Sequence, residues 1–513
     1  MSDEVMIKKN VLFPHKPKKT FIQIKHADVW ALLFGVNLCW QVNILRADES
    51  IWYKNNDPLD TQRLTPPSIP EGYLESDTCS GFKNIEALTL ADVSEAALCN
   101  NPKTREAYAS ARVQAAQVGI AKSAYLPTIN NSTSGNVNVA SPEQTSRSNP
   151  TKNLSNNIVA SYLLYDFGNR DAALENARLL LQAASATQNN VVQNVLLSAI
   201  TSYYQVQASA AALDAATESE RASEESNKAA QARYKAGVST PADQLQTKTL
   251  FAQNTLNRIT AEGALKNAYG TLANVMGLPA NQPIKLVKSI PNQTPPKIEQ
   301  DIQLLIEQAQ LRRPDLLASE SQLKAAEASI TVSKLAAKPT LSVALSNGFQ
   351  AGSNLSSTDN TALGVTLSIP LFSGYAPTYK IRVAEANFDV RASQRDQLRL
   401  QISLDVWRAY QNLRSANESI NAATVLVQSA EESSRVALGR YKAGVGNILD
   451  SINAQSALAS ARQQQVQAHL NWNIARATLA QSIGGLDNAM VQSLPTAEYQ
   501  RNNLSAPILE SRP

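Results

Sequence analysis

Residues 169 to 236 contain neither glycine nor proline, and neither do residues 378 to 438. Those two residue types are the strongest helix breakers, so each run reads as one unbroken helix. At ~1.5 Å per residue, a run of about 65 residues is a rod of ~100 Å, far beyond the helices of an ordinary globular domain. Val406, Leu413, Ile420 and Val427 recur every seven residues, the period of a coiled-coil seam. A core face of a helical bundle would show the same stripe, and helix length decides between the two. The composition, 43% apolar, 18% charged and 6% aromatic, fits long helices packed through small side chains better than one aromatic-rich core.

The chain is internally repeated. Arg233-Tyr234-Lys235-Ala236-Gly237 recurs 207 residues later as Arg440-Tyr441-Lys442-Ala443-Gly444, and each copy reaches an aspartate six residues past its glycine, Asp243 and Asp450. Asn101-Pro102 and Leu126-Pro127 find counterparts in Arg313-Pro314 and Lys338-Pro339, 212 residues on. That period is too long for a solenoid and points to duplication. In each half a helix of moderate length, about 102–125 or 314–337, starts on a proline and precedes a polar segment with apolar residues at every second position. In the second half these are Leu341, Val343 and Leu345, then Leu363, Val365, Leu367 and Ile369. They read as two strands, with Gly348, Gly352, Ser353 and Asn354 as the loop between them and Ser134 to Asn149 as its equivalent. The long helix follows, stops at the glycine of Tyr-Lys-Ala-Gly, and returns from Thr240-Pro241 or Asn447-Ile448 as a helical hairpin.

The boundaries expected are an export signal over 1–47, an extended segment over 48–87, repeats over 88–278 and 301–486, a proline-rich linker over 279–300, and a polar tail over 487–513. The signal rests on six lysines before the apolar run from Val29 to Leu45; an amphipathic or buried N-terminal helix is the other reading. Val36-Asn37-Leu38 before Cys39 lacks the small residues of a lipoprotein cleavage site. The two cysteines beyond the signal, Cys79 and Cys99, suit one disulfide in an exported protein, with two free thiols as the alternative.

Four strands in a membrane must close into a barrel, and membrane barrels need about eight or more, so the missing strands would come from other copies of the chain. In its signal, Asn-Pro and Leu-Pro helix, strand pair, long helix and Arg-Tyr-Lys-Ala-Gly turn, repeated in order, the chain from about Leu88 to Leu486 resembles the TolC family of outer-membrane export ducts. Cys79, Cys99 and the run Ala97 to Pro102 look most like its type I secretion branch. The resemblance implies an α+β membrane protein: a homotrimer with one 12-stranded β-barrel, four strands per chain, continued by an α-helical coiled-coil tunnel in the periplasm of a Gram-negative bacterium. It further implies outer-membrane lipid around the barrel, and a periplasmic adaptor docking at the hairpin tips through Arg233, Tyr234, Gly237, Arg440 and Gly444. An inner-membrane ABC or proton-driven pump would supply the energy.

The resemblance places Asp243, Asp450, Tyr441 and Asn453 at the narrow tunnel entrance. Six carboxylates crowded there would favour cations. Both aspartates also fall at the third position of a helix, where an acid serves as a cap, and Tyr234 and Tyr441 suit packing against a neighbouring helix. A Tyr441–Asp243 link between the hairpins carries over from the family, whereas Gly446 and Asn453 replace a basic and an acidic gating residue. Arg233 and Arg440 also sit where a cation favours the helix dipole.

No catalytic, cofactor or metal site is expected. His469 is the one histidine beyond the signal, no carboxylate or cysteine cluster surrounds it, and the chain has no glycine-rich phosphate loop. A net charge of +4 gives no reason to expect a nucleic-acid partner. A passive exit duct is the leading reading, and a periplasmic coiled-coil adaptor or scaffold is the alternative, one that has no use for alternating strands.

Overall fold

A computed structural model describes residues 57–70, 73, 79, 87–139, 151–287, 301–353 and 355–487. The expected signal, most of the linker and nearly all of the tail lie outside them. Every helix and strand described belongs to the compact unit Leu59–Pro513.

The first half contains α1 (Leu90–Asn100), α2 (Pro102–Ser123), β1 (Thr128–Asn138), β2 (Thr151–Tyr165), α3 (Asn169–Lys235) and α4 (Pro241–Val275). The second repeats that order as α5 (Ile302–Arg312), α6 (Pro314–Leu335), β3 (Thr340–Gly352), β4 (Leu355–Ser368), α7 (Ala376–Lys442) and α8 (Ile448–Ser482). Both long helices have 67 residues. The short helices α1 and α5 were not distinguished in the sequence. Asn101 caps α2 by accepting from the Lys103 amide, and Pro102 occupies the first turn, where no amide is needed.

The strands form one antiparallel sheet in the order β1-β2-β3-β4. They run further than the alternation predicted, because β1 continues through Ser134 and Gly135 and β3 through Gly348 to Gly352. Polar cross-strand pairs extend them: Ser134 Oγ bonds Ser155 Oγ at 2.7 Å, and Asn156 donates to Thr133 Oγ1 at 2.7 Å. Nearer the helices one face is apolar across the whole sheet. Leu341, Val343 and Leu345 stand opposite Leu367, Val365 and Leu363, Tyr162 and Ala160 extend the band on β2, and Ile129 extends it on β1. Its other face carries Ser342, Thr366, Gly364, Thr128 and Ser161.

The helices keep the same lateral order as the strands they join. Next to the sheet, α2 packs on α3, α3 on α6 and α6 on α7; further away α4, α3, α8 and α7 follow in turn. The α7–α8 seam is a heptad. Val406, Leu413, Ile420 and Val427 alternate with Ala409, Ala416, Ala423 and Ala430, all buried, against Ala454, Ala461, Ala468 and Ala475 of α8. Alanines at alternate positions let the backbones approach closely. The lower part of α3–α4 differs, since its buried residues there are polar apart from Ala230: Ser223, Ser226, Asn227, Thr247 and Asn254. The largest apolar cluster lies midway along the rods, where α1 and the ends of α4 and α8 meet the middle of α3 around Leu98, Leu196, Ile200, Tyr203 and Leu272. A parallel bridge between Leu88 and Leu286 ties the start of the first repeat to the linker, and Cys79 is bonded to Cys99 at the end of α1.

Candidate functional site

Both hairpin tips are built alike. Gly237 and Gly444 have φ of +76° and +79°, as a left-handed helix end requires. In each, the following valine amide reaches back to an arginine carbonyl, Val238 to Arg233 at 3.0 Å and Val445 to Arg440 at 3.1 Å. These bonds satisfy carbonyls that the helix end would otherwise leave open. The return helices start differently. Thr240 and Asp243 form a reciprocal capping box, whereas Asn447 accepts from the Leu449 amide one residue earlier. Asp450 therefore stays outside the cap: it is exposed and makes no hydrogen bond or ion pair among the described residues.

The tips meet through side chains 208 residues apart. Arg233 donates to the Tyr441 carbonyl at 3.1 Å, and its guanidinium lies 5.0 Å from the centre of the Tyr441 ring. Tyr441 is buried, and its hydroxyl has no hydrogen-bond partner among the described residues. Burial is the main reason its pKa stands above the ordinary tyrosine value; Arg233 draws it down and Asp243 pushes it up. Asp243 is thus near Tyr441 electrostatically, but its carboxylate bonds to the Thr240 amide at 3.2 Å rather than to the phenol. A second link, from Gln455 of α8 to Ser226 Oγ at 2.9 Å, joins the hairpins further along. Among the described residues, four buried polar atoms on this seam have no hydrogen-bond partner: Arg233 Nε, Tyr441 Oη, Ser451 Oγ and Gln455 Oε1.

Gly446 is fixed by crowding. A Cβ there would fall 2.9 Å from Arg440 Cβ and 3.0 Å from the Tyr441 amide nitrogen, so a larger residue must displace the turn that presents Tyr441. Arg440, the repeat counterpart of Arg233, is exposed. Tyr234, Val238, Val445 and Leu449 leave an apolar surface at the tips, with Lys235, Arg440, Lys442 and Asn453 exposed as well. The sequence indicated Arg233 as a docking or dipole residue and Tyr441 as a link to Asp243. It gave no sign of Arg233 joining Tyr441, because the duplicated motif makes Arg233 and Arg440 look equivalent.

Among the described residues no group of His, Cys, Asp and Glu is disposed to hold a metal. His469 is half-buried, and burial holds its pKa below the ordinary histidine value. No described helix is long and apolar enough to cross a membrane.

The profile of the outer membrane efflux protein family matches residues 93–278 and 305–485. Protein CyaE of Bordetella pertussis is 29% identical over 423 residues, covering 81% of this chain and 88% of its own. Outer membrane protein TolC of Vibrio cholerae is 24% identical over 425 residues, covering 80% and 93%. Among solved structures, CusC superposes with a TM-score of 0.68 at 21% identity, over 82% of this chain and 98% of that one.

Proposed function

The chain belongs to the outer membrane efflux protein family, and from that premise we propose that three copies close into one duct, a passive conduit opened when a periplasmic adaptor and an inner-membrane pump engage the hairpin tips. That it is an outer-membrane channel for efflux or secretion follows from the family and its relatives. Family and fold are those of channel proteins rather than enzymes.

One observation carries the assembly: sheet and helices share one lateral order, so both leave a free edge on the same two sides. At one side stand β1, α2 and α4, with Ile129, Ile120 and Leu256 exposed; at the other stand β4 and α7, with Leu363, Val383 and Leu400 exposed. Bare strand edges and apolar helix flanks call for a partner, and another copy supplies both at once. Twelve strands make a closed barrel of ordinary size. The band from Ile129 to Val365 would face lipid, while the seryl and threonyl face would line water.

In this reading Arg233–Tyr441 and Gln455–Ser226 clasp the hairpins of each chain in the closed state. Asp243 and Asp450 add negative charge at the entrance, with Asn453 beside them, and the exposed arginine, lysines and apolar residues of the tips form the adaptor's seat. The resemblance of Cys79, Cys99 and the run Ala97 to Pro102 to the type I secretion branch favours secretion of a protein over small-molecule efflux. Single-channel recording of the purified oligomer in a planar bilayer tests the proposal. A small conductance that favours cations, and loses that preference in Asp243→Asn/Asp450→Asn, is the expected result; a well-folded oligomer that never conducts would overturn it.

A further inference from the structure

A groove of about 1030 Å³ touches all four helices next to the sheet, α2, α3, α6 and α7. Because these helices pack in that order, a space shared by all four lies on the face toward which the wall curves. In the duct this face is the tunnel lumen, so the inference rests on the proposed assembly. Its lining is mainly Ala, Ser, Asn and Gln, with Lys103, Arg391 and Glu106 as the charged members. A second groove continues it along α6 and α7, sharing Ser329, Ala384 and Asn387 and adding Lys380. Among the described residues none of the three cations is ion-paired, and Arg391 reaches only the amide oxygens of Gln322 and Gln394, at 3.4 and 3.0 Å.

We propose that the upper tunnel binds anionic passengers, and that the class it suits is an acidic stretch of extended polypeptide. Each chain contributes three cations against one acid to this surface, and three chains repeat the excess around one narrow, low-dielectric wall, where like charges reinforce one another. Lys380 lies near the start of α7, Arg391 eleven residues further on, and Lys103 at the far end of α2. At ~1.5 Å per helical residue the three rows span about 25 Å along the tunnel axis. A small anion meets one row at a time. An extended chain at ~3.5 Å per residue meets all three within about seven residues.

The test is block of the channel, its open probability raised by Arg233→Gln, with poly-L-glutamate or poly-L-lysine added from the barrel side. Poly-L-glutamate is expected to block the channel in a manner weakened by salt, and Lys103→Gln/Lys380→Gln/Arg391→Gln to weaken that block roughly tenfold or more. The charge-preserving Lys103→Arg/Lys380→Arg/Arg391→Lys should retain it. Equal block of the neutralised and unaltered channels, or stronger block by poly-L-lysine, would overturn the proposal while leaving the duct intact. An oligomer without any conductance would overturn the duct reading and this proposal with it.

Discussion

Removing the arginine of the inter-hairpin clasp is the most informative single change. Arg233 gives Tyr441 a charge-assisted hydrogen bond to its carbonyl and a cation over its ring. Such a bond contributes about 1.5–3 kcal/mol and the ring contact about 0.5–1 kcal/mol. Both groups regain water when the hairpins part, so the differential stabilisation of the closed state is nearer ~2 kcal/mol per chain. At about 1.4 kcal/mol per factor of ten, Arg233→Gln raises the open-to-closed ratio of each hairpin pair ~25-fold. The clasp is absent from the seam that holds each hairpin together, so thermal stability should change little. Open probability of single channels reads the effect directly, and Arg233→Lys should fall between, since an ammonium keeps the charge but not the planar contact. Wild-type open probability in Arg233→Gln, with unchanged melting, would refute the clasp.

Four further outcomes are expected. Gly446→Ala should displace the tip turn, because its Cβ meets the Arg440 and Tyr441 backbone at 3.0 Å, and should raise open probability as Arg233→Gln does. Cys79→Ser should lower stability by about 3 kcal/mol, since the bond closes a loop of 20 residues; denaturant titration in detergent measures it. Leu413→Ala, on the buried α7 seam, should cost about 2–4 kcal/mol in the same titration, more than any tip substitution. Burial depresses the folded pKa of His469, so its contribution to stability is present above the unfolded value and is lost as pH falls through the folded one; His469→Gln should flatten the slope below about pH 6.5.

The long helices were legible because glycine and proline are conspicuous by position, and the tips because a left-handed cap and an N-cap leave local marks such as Gly237 and Thr240. Strand length was not. Beyond the apolar band β1 and β3 are held by hydroxyl and amide pairs such as Ser134–Ser155, and hydrophobic alternation does not record these. The helices α1 and α5 were missed because each is only 11 residues and runs directly into another helix at Asn101 or Arg313. The heptad of α7 was visible since a period of seven in valine, leucine and isoleucine stands out. Its polar counterpart in α3 was not, because buried serine reads as surface. The Arg233–Tyr441 contact is tertiary and lies across the two repeats. Thr240 and Asn447 read as equivalent N-caps with Asp243 and Asp450 both at the third helical position, so nothing in the sequence showed that the two tips are built differently.

Three chains sharing one barrel is the claim on which the duct, the entrance ring and the basic lumen all depend. Native mass spectrometry of the detergent-extracted protein measures it most directly. A single species at three times the mass of the mature chain, separating into monomers only when the β structure melts, is the expected result. A monomer or dimer that keeps its strands without a third copy would contradict the account.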